Sequence, residues 1–428
     1  MDNKAASWQS YLEYAELSDV GLRRSNNQDS LGSVISGSED SWRRRGHLFM
    51  VADGMGAHAA GELASKMAVD TVLLTYYKLP DPSAPDAFKK ALEDANAKIN
   101  ARGQANPDFK GMGTTTSALA VLPQGAVVAH VGDSRAYRLR GNRLEQLSAD
   151  HSLVWEMMAA SKISERDLPT YIPKNVITRS LGPNPTVQVD LEGPFPLVPG
   201  DTFLLCSDGL SGQVSDEEIG AVLQALPPHE AVQTLVDLAN LRGGPDNISV
   251  IVVRVTALPS ASGASGAIAA PANPSGDTRI HPAFWIVFGV ALAAALILFL
   301  IDMPLFAAAS AVAAVITLGA ALVSKASAVE NASFDGEIST LGGGPYRSLV
   351  CNPDRALIDR LKSLIESIRQ SASEQQWQIE WSTADAYVRR SEQAAAQENN
   401  LLAVRELFHA ISYLMKEARQ QRQARDAG

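Results

Sequence analysis

Leu48-Phe49-Met50-Val51-Ala52-Asp53-Gly54 is an apolar run that stops abruptly at an aspartate and a glycine. A short apolar run bounded by turn residues reads as a β-strand. The same phrase returns at Phe203-Leu204-Leu205-Cys206-Ser207-Asp208-Gly209. Asp133 follows the run Val127–Gly132, and Asp246 stands just before Asn247 and the run Ile248–Val255. Carboxylates at the strand ends of a rigid sheet can converge on one spot. Several that close repel one another unless cations neutralise them. All-oxygen ligation suits a hard ion, Mg²⁺ or Mn²⁺, better than zinc. Two such ions can activate a water and clamp the oxygens of an in-line phosphoryl displacement. Singly, an Asp-Gly pair after a strand is more often a turn, because both residues suit turn geometry. Spacing alone leaves a metal site and a set of turns equally open.

Working outward, residues 1–256 read as one mixed domain. Strands are expected at Leu48–Ala52, Ser117–Leu122, Ala126–Val131, Thr202–Cys206 and Ile248–Val255, with helices at Gly61–Tyr77 and Asp86–Arg102. The mixture of hairpin-like and distant strands suggests α+β rather than a regular βαβ alternation. The clearest hairpin joins Ser117–Leu122 to Ala126–Val131 through Pro123-Gln124-Gly125. Residues 257–281 are rich in Ala, Ser, Gly and Pro and read as a flexible linker.

Two uncharged apolar stretches follow, Ala283–Ile301 and Pro304–Val323. Each approaches the roughly 20 residues that cross a bilayer, so residues 282–324 are expected to form a transmembrane hairpin turning at Asp302-Met303. Arg279 and Lys325 bracket it, which places both flanks in the cytoplasm and the chain in the inner membrane. Residues 325–352 read as a second linker, and 353–428 as a helical bundle. Asn352-Pro353-Asp354 suggests an N-cap with proline at N1. Apolar stripes follow at Leu357, Leu361, Leu364, Ile365 and Ile368, then at Trp377, Trp381, Ala384 and Val388. A third comprises Val404, Leu407, Phe408, Ile411, Leu414 and Met415.

The net charge of −10 offers no basic patch and argues against nucleic-acid binding. The two cysteines, Cys206 and Cys351, stand far apart without metal-ligand spacing and read as reduced thiols in a cytosolic setting. The N-terminal residues lack the apolar core of a signal peptide.

The stretch Gly21-Leu22-Arg23-Arg24-Ser25-Asn26-Asn27-Gln28-Asp29 resembles the first motif of the PP2C-type (PPM) metal-dependent phosphatases. Asp53-Gly54-Met55-Gly56, with His58 and Gly61-Glu62, resembles the bacterial form of the second. Gly113-Thr114-Thr115, Gly132-Asp133-Ser134-Arg135, Ser207-Asp208-Gly209-Leu210 and Asp246-Asn247 then occur in the family's order. Asp150-His151-Ser152 and Thr178-Arg179-Ser180-Leu181-Gly182 match its flap region. The resemblance covers about residues 10–256. It implies two packed antiparallel sheets flanked by helix pairs, and a binuclear Mn²⁺ or Mg²⁺ centre with room for a third ion. It further implies that Asp53 bridges the two ions. Asp208 and Asp246 complete the first, the Gly54 carbonyl binds the second, Asp29 acts through water, and Asp133 joins Asp208 at the third. Arg24 is implied as the phosphate-binding fork. Met55 replaces a histidine of animal members, Gln28 a common glutamate, and Gly212 an aspartate of the third-ion site. Ser134 and Ser207 are not expected to be nucleophiles, lacking a His/Asp partner pattern.

The expected activity is therefore hydrolysis of phosphoserine and phosphothreonine in proteins, opposing a Ser/Thr kinase at the membrane. Two alternatives are a phosphatase dedicated to one anti-sigma-type partner and a non-catalytic binding module. The C-terminal helices are a candidate surface for a protein partner. The catalytic core and every candidate ligand precede the linker, so residues 1–256 are expected to stay active alone.

Overall fold

A computed structural model describes residues 8, 10–57, 59–80, 83–161, 172–173, 175–258 and 341–426. The expected linker from 259 onward and both apolar stretches of the hairpin lie outside the described residues. Among those described, no helix is long and apolar enough to cross a membrane.

Two antiparallel sheets form the centre. One runs β1 (Leu12–Asp19), β11 (Ile248–Val255), β10 (Thr202–Cys206), β7 (Arg135–Arg140), β8 (Arg143–Gln146), β12 (Arg347–Val350). The other runs β2 (Asp29–Val34), β3 (His47–Met55), β5 (Thr116–Leu122), β6 (Gly125–Val131), β9 (Asp190–Phe195), with the short β4 (Gly113–Thr114) on β3. The helices are α1 (Glu39–Arg45), α2 (Ala60–Lys78), α3 (Ala84–Ala105), α4 (Leu153–Ser161), α5 (Asp208–Ser211), α6 (Asp216–Ala225) and α7 (Pro228–Leu241). After β12 come α8 (Arg355–Glu374), α9 (Trp381–Ala396) and α10 (Asn400–Asp426).

Strands β5, β6 and β10 are buried at every position because each is covered on both faces, and side chains alternate between the two covers. Phe49 and Val51 of β3 join Leu119, Val121, Phe203, Leu205, Ile251 and Val253 between the sheets. Leu48, Met50 and Ala52 face the other way, onto Ala64, Ala68 and Val72 of α2 and Phe88 and Leu92 of α3. Burying each of these larger side chains contributes about 1.5–3 kcal/mol. The β5–β6 hairpin pairs Leu122 with Gly125 across Pro123-Gln124, in the place that the sequence predicts.

The C-terminal helices differ from the expectation of a separate bundle. Leu357, Leu361 and Ile365 of α8 and Val404, Leu407, Phe408 and Ile411 of α10 share one core with Val222, Leu235 and Val236 of α6 and α7. Residues up to 260 and from 340 on form one compact unit. An amphipathic stripe shows that a helix has a buried face but not which surface covers it. Polar contacts tie the same interface: His409 Nε2 to Glu230 (2.8 Å), Ser412 Oγ to Thr234 Oγ1 (3.1 Å), and Arg360 to Glu217 (2.5 Å). Arg419 closes on Asp237, whose side chain is fully buried. Gly220 of α6 lets the tail approach closely: a Cβ there would stand 2.3 Å from Cys351 Sγ.

Three local expectations need correction. Arg347–Val350, inside the expected second linker, is a strand paired with β8. Asp354, rather than Asn352, caps α8 by accepting the Leu357 amide at 2.8 Å, so Pro353 precedes the cap instead of filling N1. Trp377 lies in the connection before α9, not on its face.

Candidate active site

The aspartates gather at one end of the sandwich, with both sheets contributing. Asp29 opens β2 and lies directly opposite Asp53 in the antiparallel register with β3. Asp133 follows β6. From the other sheet, Asp208 begins α5 just beyond β10, and Asp246 immediately precedes β11, the neighbour of β10. Like charges directly opposite on a sheet destabilise it, and here five carboxylates converge on one site.

Their electrostatics follow from that crowding. Burial first, and then the charges of Asp208 and Asp246, push Asp29 up to about 7, with the Ser207 and Ser249 hydroxyls offsetting part of the rise. Burial, Asp208 and Asp150 push Asp133 up to about 7. Burial raises Asp53 well above the usual carboxylate range, helped by Asp29, Asp208 and Asp133. Asp208 is raised by burial and by Asp246. The Ser207 and Ser249 hydroxyls stand near Asp29, yet both oxygens of Asp29, and one each of Asp133 and Asp208, are buried with no partner in hydrogen-bonding geometry. Buried polar atoms are ordinarily paired, and each exception calls for an explanation.

Among the described residues, no group of three or more His, Cys, Asp or Glu side chains is arranged, as it stands, to hold a metal ion. The orphaned, mutually repelling oxygens nevertheless fit divalent cations. A cation would relieve the repulsion and supply the missing partner, and an all-oxygen donor set selects a hard ion.

The backbone around these groups is held stiffly. The Asp53 carbonyl accepts from the Thr115 amide and the Thr114 hydroxyl, each at 2.8 Å, while its amide donates to Thr115 Oγ1 at 3.0 Å. Gly54 pairs with Thr114 across β3 and β4. The loop bearing Arg24 is pinned by Leu22 N donating to the Gly244 carbonyl at 2.8 Å. Arg24 itself donates to Asp246 Oδ2 at 2.8 Å, with about half of its side chain exposed. An exposed pair of this kind is worth about 0–1 kcal/mol and is easily exchanged for another anion.

The structure thus brings Asp29, Asp53, Gly54, Asp133, Asp208, Asp246 and Arg24 to one region. His58 lies outside the described residues. Ser134 and Ser207 are fully buried, with hydroxyls bonded to Thr115 Oγ1 (2.7 Å) and to the Asn247 carbonyl (3.4 Å). Asn247 is a residue whose role went unassigned from sequence. Its side chain accepts from Gln28 N (2.8 Å) and donates to the Val20 and Asn26 carbonyls (2.9 and 3.0 Å), stapling the Arg24 loop beside Asp246. The Asp246-Asn247 pair was the available signal, since short amides habitually bond nearby backbone.

Comparison with known proteins identifies the family. The family model described as Protein phosphatase 2C matches residues 23–239. The chain belongs to the protein phosphatase 2C family. It is 37% identical over 246 residues to the protein phosphatase PhpP of Streptococcus pneumoniae, covering 56% of this chain and 97% of that protein. The S. agalactiae serine/threonine phosphatase superposes with a TM-score of 0.52 at 38% identity, over 57% of this chain and all of that one. The Mycobacterium tuberculosis phosphatase PstP/Ppp gives 0.51 at 35% identity, over 57% of this chain and 98% of that one. This chain is accordingly a protein phosphatase 2C-type serine/threonine phosphatase. Its α8–α10 lie beyond the residues matched by the family model.

Proposed function

We propose that this phosphatase works at two Mn²⁺ or Mg²⁺ ions held by Asp53, Asp208, Asp246 and the Gly54 carbonyl, on phosphoserine and phosphothreonine in proteins, against a Ser/Thr kinase. The observation that carries this reading is the set of buried carboxylate oxygens without donors at the ends of β2, β6 and β10. When bound, the ions would supply Lewis-acid polarisation of the phosphoryl group and an activated water. The chain's own residues do the rest. Asp29 and Asp133 flank the central pair and add negative charge that a weaker cation site would lack. Arg24 offers a planar fork to the phosphate, releasing Asp246 as it does so. Met55 has no ionisable proton, so it takes no part in proton transfer to the leaving oxygen.

The test is direct. The full chain should hydrolyse a phosphothreonine peptide with added Mn²⁺ and lose that activity in EDTA. Full activity after exhaustive chelation would refute the metal reading.

The same proposal places the enzyme at the inner membrane, on the strength of the uncharged stretches Ala283–Ile301 and Pro304–Val323. Their short connection would leave both flanks on one side, and the bracketing Arg279 and Lys325 would make that side the cytoplasm. An alkaline phosphatase reporter inserted at Asp302 should then be active and one at Gly428 silent; the reverse pattern would overturn this topology.

A further inference from the structure

Helix α4, with the sequence LVWEMMAAS, carries a single charge, yet none of its residues is buried. A helix this apolar ordinarily packs one face. Its roots lead straight to the aspartate cluster. His151 N donates to the Gly132 carbonyl at 2.7 Å and His151 Nδ1 accepts from Gly132 N at 2.9 Å, beside Asp133. On the return side, Leu181 and Thr114 exchange amide hydrogen bonds of 2.9 and 3.0 Å, and the Thr114 hydroxyl donates to the Asp53 carbonyl.

The outward face of α4 is held by a segment nearly 200 positions away in sequence. The Arg347 guanidinium lies 4.6 Å from the centre of the Trp155 ring, and its Nη2 lies 3.9 Å from Met158 Sδ. Tyr346 meets Trp155 edge-on at 6.4 Å. This segment is itself built into the fold. Tyr346 N donates to the Gln146 carbonyl at 2.8 Å and its hydroxyl to Glu192 Oε1 at 2.5 Å, while Gly344 N donates to Glu192 Oε2 at 2.9 Å. Glu192 is 2% exposed. Gly342 has a φ of +67°, and a Cβ there would stand 2.0 Å from Glu192 Oε2, so only glycine fits.

We propose that Leu341–Val350 is a strap that fixes α4 beside the metal site, with Arg347 and Tyr346 as positioning residues for protein substrates. The inference rests on the aspartate cluster being the hydrolytic site. A small aryl phosphate has no flanking residues to meet α4. A phosphopeptide brings flanking residues that extend past the cluster toward α4, so loosening α4 penalises the peptide selectively.

The experiment compares the full chain with Arg347→Ala, Arg347→Lys and Tyr346→Phe, using a phosphothreonine peptide and p-nitrophenyl phosphate with Mn²⁺. Arg347→Ala should raise the peptide KM about threefold or more, leave turnover of p-nitrophenyl phosphate within about twofold, and speed amide hydrogen exchange in residues 153–161. Arg347→Lys keeps a cation over Trp155 and should recover part of the peptide KM. Unchanged peptide KM and unchanged exchange would overturn the strap, as would equal losses on both substrates. Should Arg347→Ala fail to fold, Tyr346→Phe and Arg347→Lys carry the same comparison. Should the parent hydrolyse neither substrate, the reading of the site fails, and the exchange rates of α4 still decide the strap.

Discussion

Asp208→Asn separates what the aspartate cluster does for catalysis from what it costs the fold. Asp208 is half-buried, has one buried oxygen without a donor, and stands against Asp53 with Asp246 beyond it. Asparagine keeps the shape and removes one charge. Two charges about 4 Å apart interact by roughly 4 kcal/mol at an effective dielectric of about 20. Part of that is already relieved by protonation near neutral pH, which leaves a gain of about 1–3 kcal/mol for the metal-free protein. For a domain of this size that raises the melting temperature by about 2–10 °C. The sign with pH is fixed by the raised carboxylates. Asp29 and Asp133 titrate near 7 in the folded chain, above their unfolded values, so they favour the fold at low pH and that stability is lost as pH rises toward 7. The variant's advantage in EDTA should therefore be larger at pH 8 than at pH 6. Mn²⁺ should raise the parent's melting temperature far more than the variant's, and turnover should fall at least tenfold, a loss of about 1.4 kcal/mol or more in transition-state stabilisation. Thermal melts in EDTA and across a Mn²⁺ titration check all of this. A variant that melts below the parent at pH 8 without metal, or that Mn²⁺ stabilises as much as the parent, would refute the reasoning.

Arg24→Ala should raise the Michaelis constant for phosphopeptide while leaving Mn²⁺ affinity intact; a collapse of Mn²⁺ affinity with normal saturation would show that this arginine serves Asp246 instead. Arg419→Ala strips the fully buried Asp237 of its cation and should cost about 2 kcal/mol, below the usual cost of breaking a buried pair because Arg419 is 37% exposed. Burial already pushes Asp237 up to about 7, so that deficit should shrink as pH falls from 8 to 6, which urea unfolding at the two pH values measures.

Much of the site was legible because its signals are local. An apolar strand followed by Asp-Gly marks both the end of a strand and the position of a carboxylate, and β3 and β10 carry that phrase intact. The β5–β6 hairpin was legible for the same reason: a two-residue turn fixes its own register. The extra helical unit was misread where the deciding contact is distant. Gly342-Gly343-Gly344-Pro345 has linker composition, and nothing near it in sequence announces that Glu192 will accept the Gly344 amide or that Arg347–Val350 will extend a sheet at β8. The N-cap at Asp354 was missed because Asn352 is an equally good capping residue, and the choice depends on where the preceding strand delivers the chain.

The same distinction bears on what the tail helices are for. Read as stripes, α8–α10 suggested a bundle attached by a linker and free to serve a partner. Packed as they are, they cover the outer apolar face of α6 and α7 through Leu357, Val404, Phe408 and Ile411. Helix α7 then runs from the tail contacts at Thr234 and Asp237 to Asn240, which donates to Asp19 Oδ1 at 3.1 Å, the oxygen that also accepts the Gly21 amide. Gly244, just beyond the helix, receives the amides of Leu22 and Arg23. One rigid helix therefore joins the tail interface to the loop that presents Arg24 beside Asp246. Removing everything after residue 256 would strip β12 from its sheet and expose that apolar face, so the expectation that residues 1–256 suffice does not follow from where the ligands lie. The ligands precede the linker; part of the packing that holds them comes after it.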